Sequence, residues 1–281
     1  MRILALAGWL PVALVGATDA SITPGVVEVD LVFPRNDSYA PTPVLPVVFA
    51  VQNSALAPSI APYISLTIWN WNNMSDTIVT DHFVLTWENF SSSDPFFVHH
   101  SYTGFNNEGN WWLTWHVVYQ SCTEESLQSP FSRRRIITNS TGWSIGFTTE
   151  NSTRELDVAA AINDKKSCSE QLHLERLGVA VNVTNALRVP DSASSEWLGR
   201  GDMCAVVASA TPTPDPCRAT MDSAAAASIS SAVAARLCAL RDPTLSCPPK
   251  DERGENTAQQ LAVGGLACLA AAFGALSYIL M

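Results

Sequence analysis

The sequence predicts a mainly β protein: an antiparallel β-sandwich of the immunoglobulin-like class, followed by an Ala/Ser-rich C-terminal helix. Three observations point there. Apolar residues recur at every second position in short segments spread over residues 25–208. Turn-forming residues separate those segments. Strands do not alternate with helices, which argues against a doubly wound α/β fold.

In order, Val27, Val29, Leu31 and Phe33 alternate with Glu28 and Asp30, a half-buried strand, and Pro34-Arg-Asn-Asp37 marks the turn after it. Val44 to Val51 is an apolar run of central-strand length. Ile64, Leu66 and Ile68 alternate with Ser65, Thr67 and Trp69. Phe83, Leu85 and Trp87 alternate with Val84, Thr86 and Glu88. Trp111, Leu113, Trp115, Val117 and Tyr119 share one face of a further strand, and Trp143, Ile145 and Phe147 share a face of another. Val179, Val181 and Val183 point inward while Asn182 points out. Beyond Ser209 the composition shifts. Thr211-Pro-Thr-Pro-Asp-Pro216 is extended and stiff. Met221, Ala225, Ile229, Val233, Leu237 and Leu240 then form a thin helical stripe, so this helix should pack on the sandwich and be clamped by a disulfide.

Length and composition bound the function. A chain of 281 residues with 47% hydrophobic residues can bury a sizeable core and is not a disordered polymer. Lys and Arg number 16 against 26 Asp and Glu, a net charge of −10. Lysine occurs only at 165, 166 and 250. Neutralising phosphates needs clustered cations, so nucleic acid is not an expected partner.

Both ends carry processing signals. Met1-Arg2, the apolar run Ile3 to Val15 and the small residues that follow have the parts of a secretory signal peptide, residues 1–20. Leu261 to Met281 is uncharged and follows the polar stretch Lys250 to Gln260, which reads as a GPI attachment signal in residues 257–281. Asn256 is the preferred attachment residue and Gly254 the second; a single C-terminal span is the rival reading. The expected organisation is a sandwich over 21–208 and a Pro/Thr linker, helix and stalk over 209–256. The expected location is extracellular, at the outer leaflet or in the wall.

Cys122, Cys168, Cys204, Cys217, Cys238 and Cys247 remain once a tail holding Cys268 is removed. An even set in an oxidising compartment suggests three disulfides. Nearest-neighbour pairing (122 with 168, 204 with 217, 238 with 247) is the expectation, although spacing alone leaves the connectivity open. Cys217 and Cys238 flank the helix and cannot pair unless it breaks. N-glycosylation acceptors occur at Asn36, Asn73, Asn89, Asn139, Asn151 and Asn182.

Val26 to Pro41, with its Phe33-Pro-Arg-Asn36 segment, the Val48-Phe-Ala-Val-Gln-Asn53 run, Trp69-Asn-Trp-Asn-Asn73 and the cysteine-flanked helix resemble a family of fungal secreted proteins, domain of unknown function 7136. The resemblance covers most of residues 25–250. It implies a surface protein, often GPI-anchored, and brings no catalytic or binding residues with it.

Candidate chemistry is thin. Gly142-Trp-Ser-Ile-Gly146 matches a nucleophile pattern, with Asp157, Asp164 and His173 downstream in hydrolase order, but the strand-to-helix framework it needs is missing. His99 and His100 fall on opposite strand faces and cannot chelate one metal together; His82, His116 and His173 stand apart, and no metal or cofactor is expected. Glu88, Asp94, Glu108, Glu124 and Glu125 could supply a glycosidase pair only if the fold gathers them. Trp69 and Trp71 lie opposite Ile64, Leu66 and Ile68, so if the isoleucines are core the tryptophans face outward and can stack on sugar rings. The expectation is a non-catalytic surface or wall glycoprotein. Lectin-like binding of wall polysaccharide stands second, and a wall-modifying hydrolase third.

Overall fold

The computed structural model describes residues 22–90, 93–128, 135–153, 156–171 and 173–240, without the side chains of 74–77 and 87. The expected signal peptide, Cys247, the GPI segment and the apolar tail lie outside the described residues.

The strands are β1 (Gly25–Phe33), β2 (Ser38–Tyr39), β3 (Thr42–Gln52), β4 (Tyr63–Asn70), β5 (Asn73–Val84), β6 (Phe96–Phe105), β7 (Gly109–Ser121), β8 (Ile137–Thr149), β9 (Gly178–Arg188) and β10 (Met203–Val207). The helices are α1 (Glu124–Gln128), α2 (Val158–Asn163), α3 (Lys165–Ser169) and α4 (Ser223–Ala239). The strands form two sheets, in the orders β10-β9-β1-β3-β6 and β2-β8-β7-β4-β5. All pairings are antiparallel except the short parallel contact of β2 with β8. The protein is therefore mainly β with sandwich-like packing, as the alternating segments predict.

The core lies between the sheets. Ile64, Leu66 and Ile68 of β4 and Leu113, Trp115 and Val117 of β7 are buried, and Phe49 of β3 meets both Trp115 and Phe83 with ring centroids 5.4 Å apart. A smaller cluster of Ala61, Ile136, Val189, Ala193 and Trp197 surrounds the Cys122–Cys204 disulfide.

The first sheet is covered on its other face too. Residues 208–222 run along it as a strap, and α4 packs on β3 and β6. This explains why Val44 to Val51 is an unbroken apolar run: alternate residues face the second sheet and α4. The strap is sutured at several points. Ala208 N–H donates to the Asn182 carbonyl (2.9 Å), Asn163 and Met221 exchange two hydrogen bonds (2.8 and 2.9 Å), and Lys165 Nζ donates to the Ala219 carbonyl. The Cys168–Cys217 disulfide ties the strap to α3. Asp222 caps α4 by accepting from Ala225 N–H (2.7 Å). Met221, Ala225 and Ile229 are buried, and the stripe then runs off the protein, leaving Leu240 exposed. Among the described residues, no helix is long and apolar enough to cross a membrane.

The Phe-Pro-Arg-Asn segment has a structural reason. Arg35 is buried, and its guanidinium donates to the carbonyls of Ala161 (2.9 Å) and Ile162 (3.1 Å) at the end of α2. Its backbone N–H donates to the Tyr39 hydroxyl (2.9 Å).

Three expectations are corrected. Among the described residues the disulfides are Cys122–Cys204 and Cys168–Cys217, in place of the expected 122 with 168 and 204 with 217, because β10 returns beside the end of β7 and the strap returns past α3. Cys238 is also disulfide-bonded. The strand expected through Leu85 and Trp87 ends at Val84, where a 3-10 turn, Leu85–Trp87, begins. Glu28 and Asp30 do not face water: they are 3% and 0% exposed beneath the strap. Two strands, β6 and β10, are not among the expected segments: they carry no readable alternation, and β6 begins with four buried residues in succession.

Candidate functional site

The second sheet has an uncovered outer face, and the register sets out its residues in rows. Trp69 lies across from Trp112, which lies across from Gly146. The next row is Thr67, Thr114 and Ser144, and the one after is Ser65, His116 and Gly142. Trp71, in the two-residue turn from β4 to β5, closes the top of this face. Its backbone N–H donates to the Asn110 carbonyl (2.8 Å), and its ring meets Trp112 at 4.9 Å between centroids, tilted by 49°. Trp71 is 50% exposed, and Trp69 and Trp112 are half-buried. The isoleucine face is core and the tryptophans are outside, as the β4 pattern predicts. Alternation in β4 could not reveal Trp112, because only the pairing with β7 brings it there.

The glycines of Gly142-Trp-Ser-Ile-Gly146 serve this face. A Cβ at Gly142 would sit 2.2 Å from the His116 ring, and one at Gly146 would sit 3.5 Å from the Trp112 ring. Only Gly142 is required by its neighbour; at Gly146 a Cβ would make ordinary contact with the ring. Ser144 is in mid-strand, with its hydroxyl 2.7 Å from that of Thr114. His173 pairs with Glu175, while Asp157 and Asp164 cap α2 and α3. The structure does not bring Ser144, an aspartate and His173 together. Ser144→Ala is accordingly expected to cost about 1 kcal/mol for the lost hydrogen bond and to leave the fold intact, as read by thermal unfolding.

The other sequence candidates are also dispersed. Asp94 accepts from Ser54 N–H (3.3 Å) and Glu108 from Asn151 N–H (2.9 Å), while Glu124 and Glu125 start α1. Burial raises the pKa of Glu88. His99 and His100 do point to opposite faces. His99, on the helix side, is pushed down to about 4 by burial and by His100. His100, between the sheets, stacks on Phe83 at 4.1 Å. Asp81 lies within 2.7 Å of both His100 Nδ1 and the Tyr102 hydroxyl. Burial works to raise Asp81, but the hydrogen bonds from His100, Tyr102 and His82 N–H outweigh it and hold the carboxyl below its usual range. Among the described residues, no three of His, Cys, Asp and Glu are grouped as a metal would require.

One carboxylate pair was not foreseen. Glu28 and Asp30 lie side by side on β1 under the strap. Gln52 Nε2 donates to Asp30 Oδ2 (2.7 Å), and Asp215 N–H donates to Glu28 Oε1 (2.5 Å). Arg218 reaches Glu28 at 3.9 Å and donates to Gln52 Oε1 at 2.7 Å. Burial, and then the neighbouring Glu28, raise the Asp30 pKa well above its ordinary value. No motif marks this pair, because its enclosure depends on a segment more than 180 residues away (the Glu28–Asp215 contact spans 187). An apolar groove of about 720 Å³ lies between α4, at Ile229, Val233 and Leu237, and the start of β3, at Thr42, Val44 and Pro46.

The six sequon asparagines all reach the surface: Asn36, Asn73, Asn89 and Asn151 are exposed, and Asn139 and Asn182 are half-exposed.

The family model described as Domain of unknown function (DUF7136) matches residues 22–247. No curated protein and no solved structure matches the chain.

Proposed function

This chain belongs to the DUF7136 family, and from that premise we propose that it is a non-catalytic cell-surface or cell-wall glycoprotein, exported and held at the outer leaflet by a GPI lipid. The observation that carries the reading is the dressing of its surface. Six of six glycosylation acceptors stand at exposed or half-exposed positions, while Cys122–Cys204 and Cys168–Cys217 are joined in disulfides. Disulfides of this kind persist in oxidising compartments. The uncharged segment Leu261 to Met281 behind a polar spacer supports the lipid anchor. In a host with a secretory pathway, the protein is expected to lose mass on treatment with an N-glycan amidase. A phosphatidylinositol-specific phospholipase is expected to release it from intact cells. A protein that stays unglycosylated inside the cell would overturn the reading.

The tryptophan face favours a second reading, a lectin-like module for wall polysaccharide. Trp71 and Trp112 offer apolar planes to sugar rings, and Thr67, Thr114 and Ser144 provide hydroxyls beside them. The test is retention of the secreted protein on chitin, β-glucan and mannan, with reducing ends assayed in the same tubes. On this reading the protein is retained without releasing reducing ends, and Trp71→Ala with Trp112→Ala weakens retention about tenfold. Release of reducing ends would favour the hydrolase instead.

A further inference from the structure

The turn that carries Trp71 also carries an acceptor for N-glycosylation two residues on, Trp71-Asn-Asn73-Met-Ser75. We propose that the exposed Trp71 ring is the seat of the protein's own Asn73-linked glycan, whose first N-acetylglucosamine packs on the indole face.

Four observations lead there. First, β4 ends at Asn70 and β5 begins at Asn73, and the two are register partners, so the chain reverses within Trp71 and Asn72. Two residues span at most about 7 Å, so the backbones of Trp71 and Asn73 lie within that distance of each other. Second, the turn is held in place. Trp71 N–H is bonded to Asn110 of β7, and Asn72 N–H donates to Asn70 Oδ1 (3.0 Å). Third, the ring is oriented before any sugar arrives, because Trp112 packs against it at 4.9 Å. Fourth, Trp71 and Asn73 are both exposed. A large indole left half in water gains free energy when an apolar surface covers it. The C–H face of a pyranose is such a cover, and the attachment at Asn73 makes its capture intramolecular, at high effective concentration.

The inference rests on the reading of the chain as an N-glycosylated secreted protein, and it competes with the lectin reading at Trp71, since a resident sugar occupies the plane an external polysaccharide would need. Asn73→Gln and Trp71→Ala, alone and combined, test it in the full glycosylated protein. Each single variant is expected to lower the unfolding midpoint by a few degrees, and the double variant to fall no further than either. Because a turn variant can perturb folding, a second measurement reads the contact directly. In protein with isotope-labelled glycans trimmed to one sugar, the Asn73 N-acetylglucosamine protons should be shifted upfield by the indole ring current, and Trp71→Ala should abolish the shift. Additive midpoints with unshifted protons, or an empty Asn73 on a chain glycosylated elsewhere, would overturn this inference and leave the glycoprotein reading standing. No glycan at any of the six sequons would sink both.

Discussion

Trp115→Ala is expected to be among the most damaging single substitutions in the molecule, costing about 3–5 kcal/mol. Trp115 is the largest fully buried side chain, it sits midway along β7, and it packs on Phe49 of the opposite sheet with ring centroids 5.4 Å apart. Truncation leaves a cavity between two sheets whose backbones are fixed by ladders on both sides, so the gap cannot close. For a unit of roughly 200 residues this corresponds to a midpoint lower by about 10 °C or more. The informative partner is Trp115→Phe. Trp115 Nε1 is buried without a hydrogen-bond partner among the described residues, and an unpaired buried N–H costs about 1–3 kcal/mol. Phenylalanine loses packing volume but removes that penalty, so its cost should be well under half that of alanine. Thermal unfolding of the two variants checks this, and equal losses would mean that the indole N–H has a partner.

How much of this was legible in the sequence follows from how many faces each strand buries. β4 and β7 bury one face and leave the other open, so Ile64, Leu66 and Ile68, and Leu113, Trp115 and Val117, alternate cleanly with polar or exposed residues. Their period gives both the strands and the outward placement of Trp69 and Trp71. The first sheet is covered on both faces. In β1 the polar members of the alternation, Glu28 and Asp30, are as buried as the valines between them. In β6 alternation is lost altogether. Period reports which residues differ in burial, and where both faces are closed it has nothing to report. The disulfides fail for a related reason. Cys122 and Cys204 are 82 residues apart but meet because β10 returns beside the end of β7, a fact of topology that sequence distance cannot carry. The Gly-x-Ser-x-Gly match shows the converse. The spacing is real, but Gly142 makes room for the ring of His116 on the neighbouring strand and Ser144 sits in mid-strand.

The buried pair under the strap makes stability depend on pH in an unusual direction, and Asp30→Asn should isolate the effect. Asp30 has a folded-state pKa raised above its ordinary 3.8, first by burial and then by the charge of Glu28. A raised acid binds its proton more tightly in the folded state than in the unfolded chain. Its contribution to stability is therefore fully present below about pH 3.8 and is lost as pH rises through the raised value. Glu88, raised by burial, adds in the same sense. His99 acts oppositely. Its pKa falls from 6.5 to about 4 on folding, so stability linked to it is present above 6.5 and lost as pH drops toward 4. Asp81, held low, is a second group whose contribution fades in acid. The wild-type profile alone mixes these signs, and only the difference between wild type and variant is diagnostic. An amide at position 30 keeps an acceptor for Gln52 and offers Glu28 a permanent donor in place of a proton that must be held. Asp30→Asn should match the wild type near pH 4 and exceed it at pH 7–8, the gap growing by about 1.4 kcal/mol for each pH unit between 3.8 and the raised folded value. The gap should grow steadily between those limits in denaturant titrations. A constant offset at all pH values would mean that Asp30 does not hold its proton. Arg218, at 3.9 Å from Glu28 and on a largely exposed side chain, is too distant and too hydrated to balance both carboxylates. The strap is thus closed over a site that is most stable with one of its two acids neutral. Acid keeps that strap fastened, and at alkaline pH residues 214–218, resting on Glu28 and Gln52, are where opening should begin.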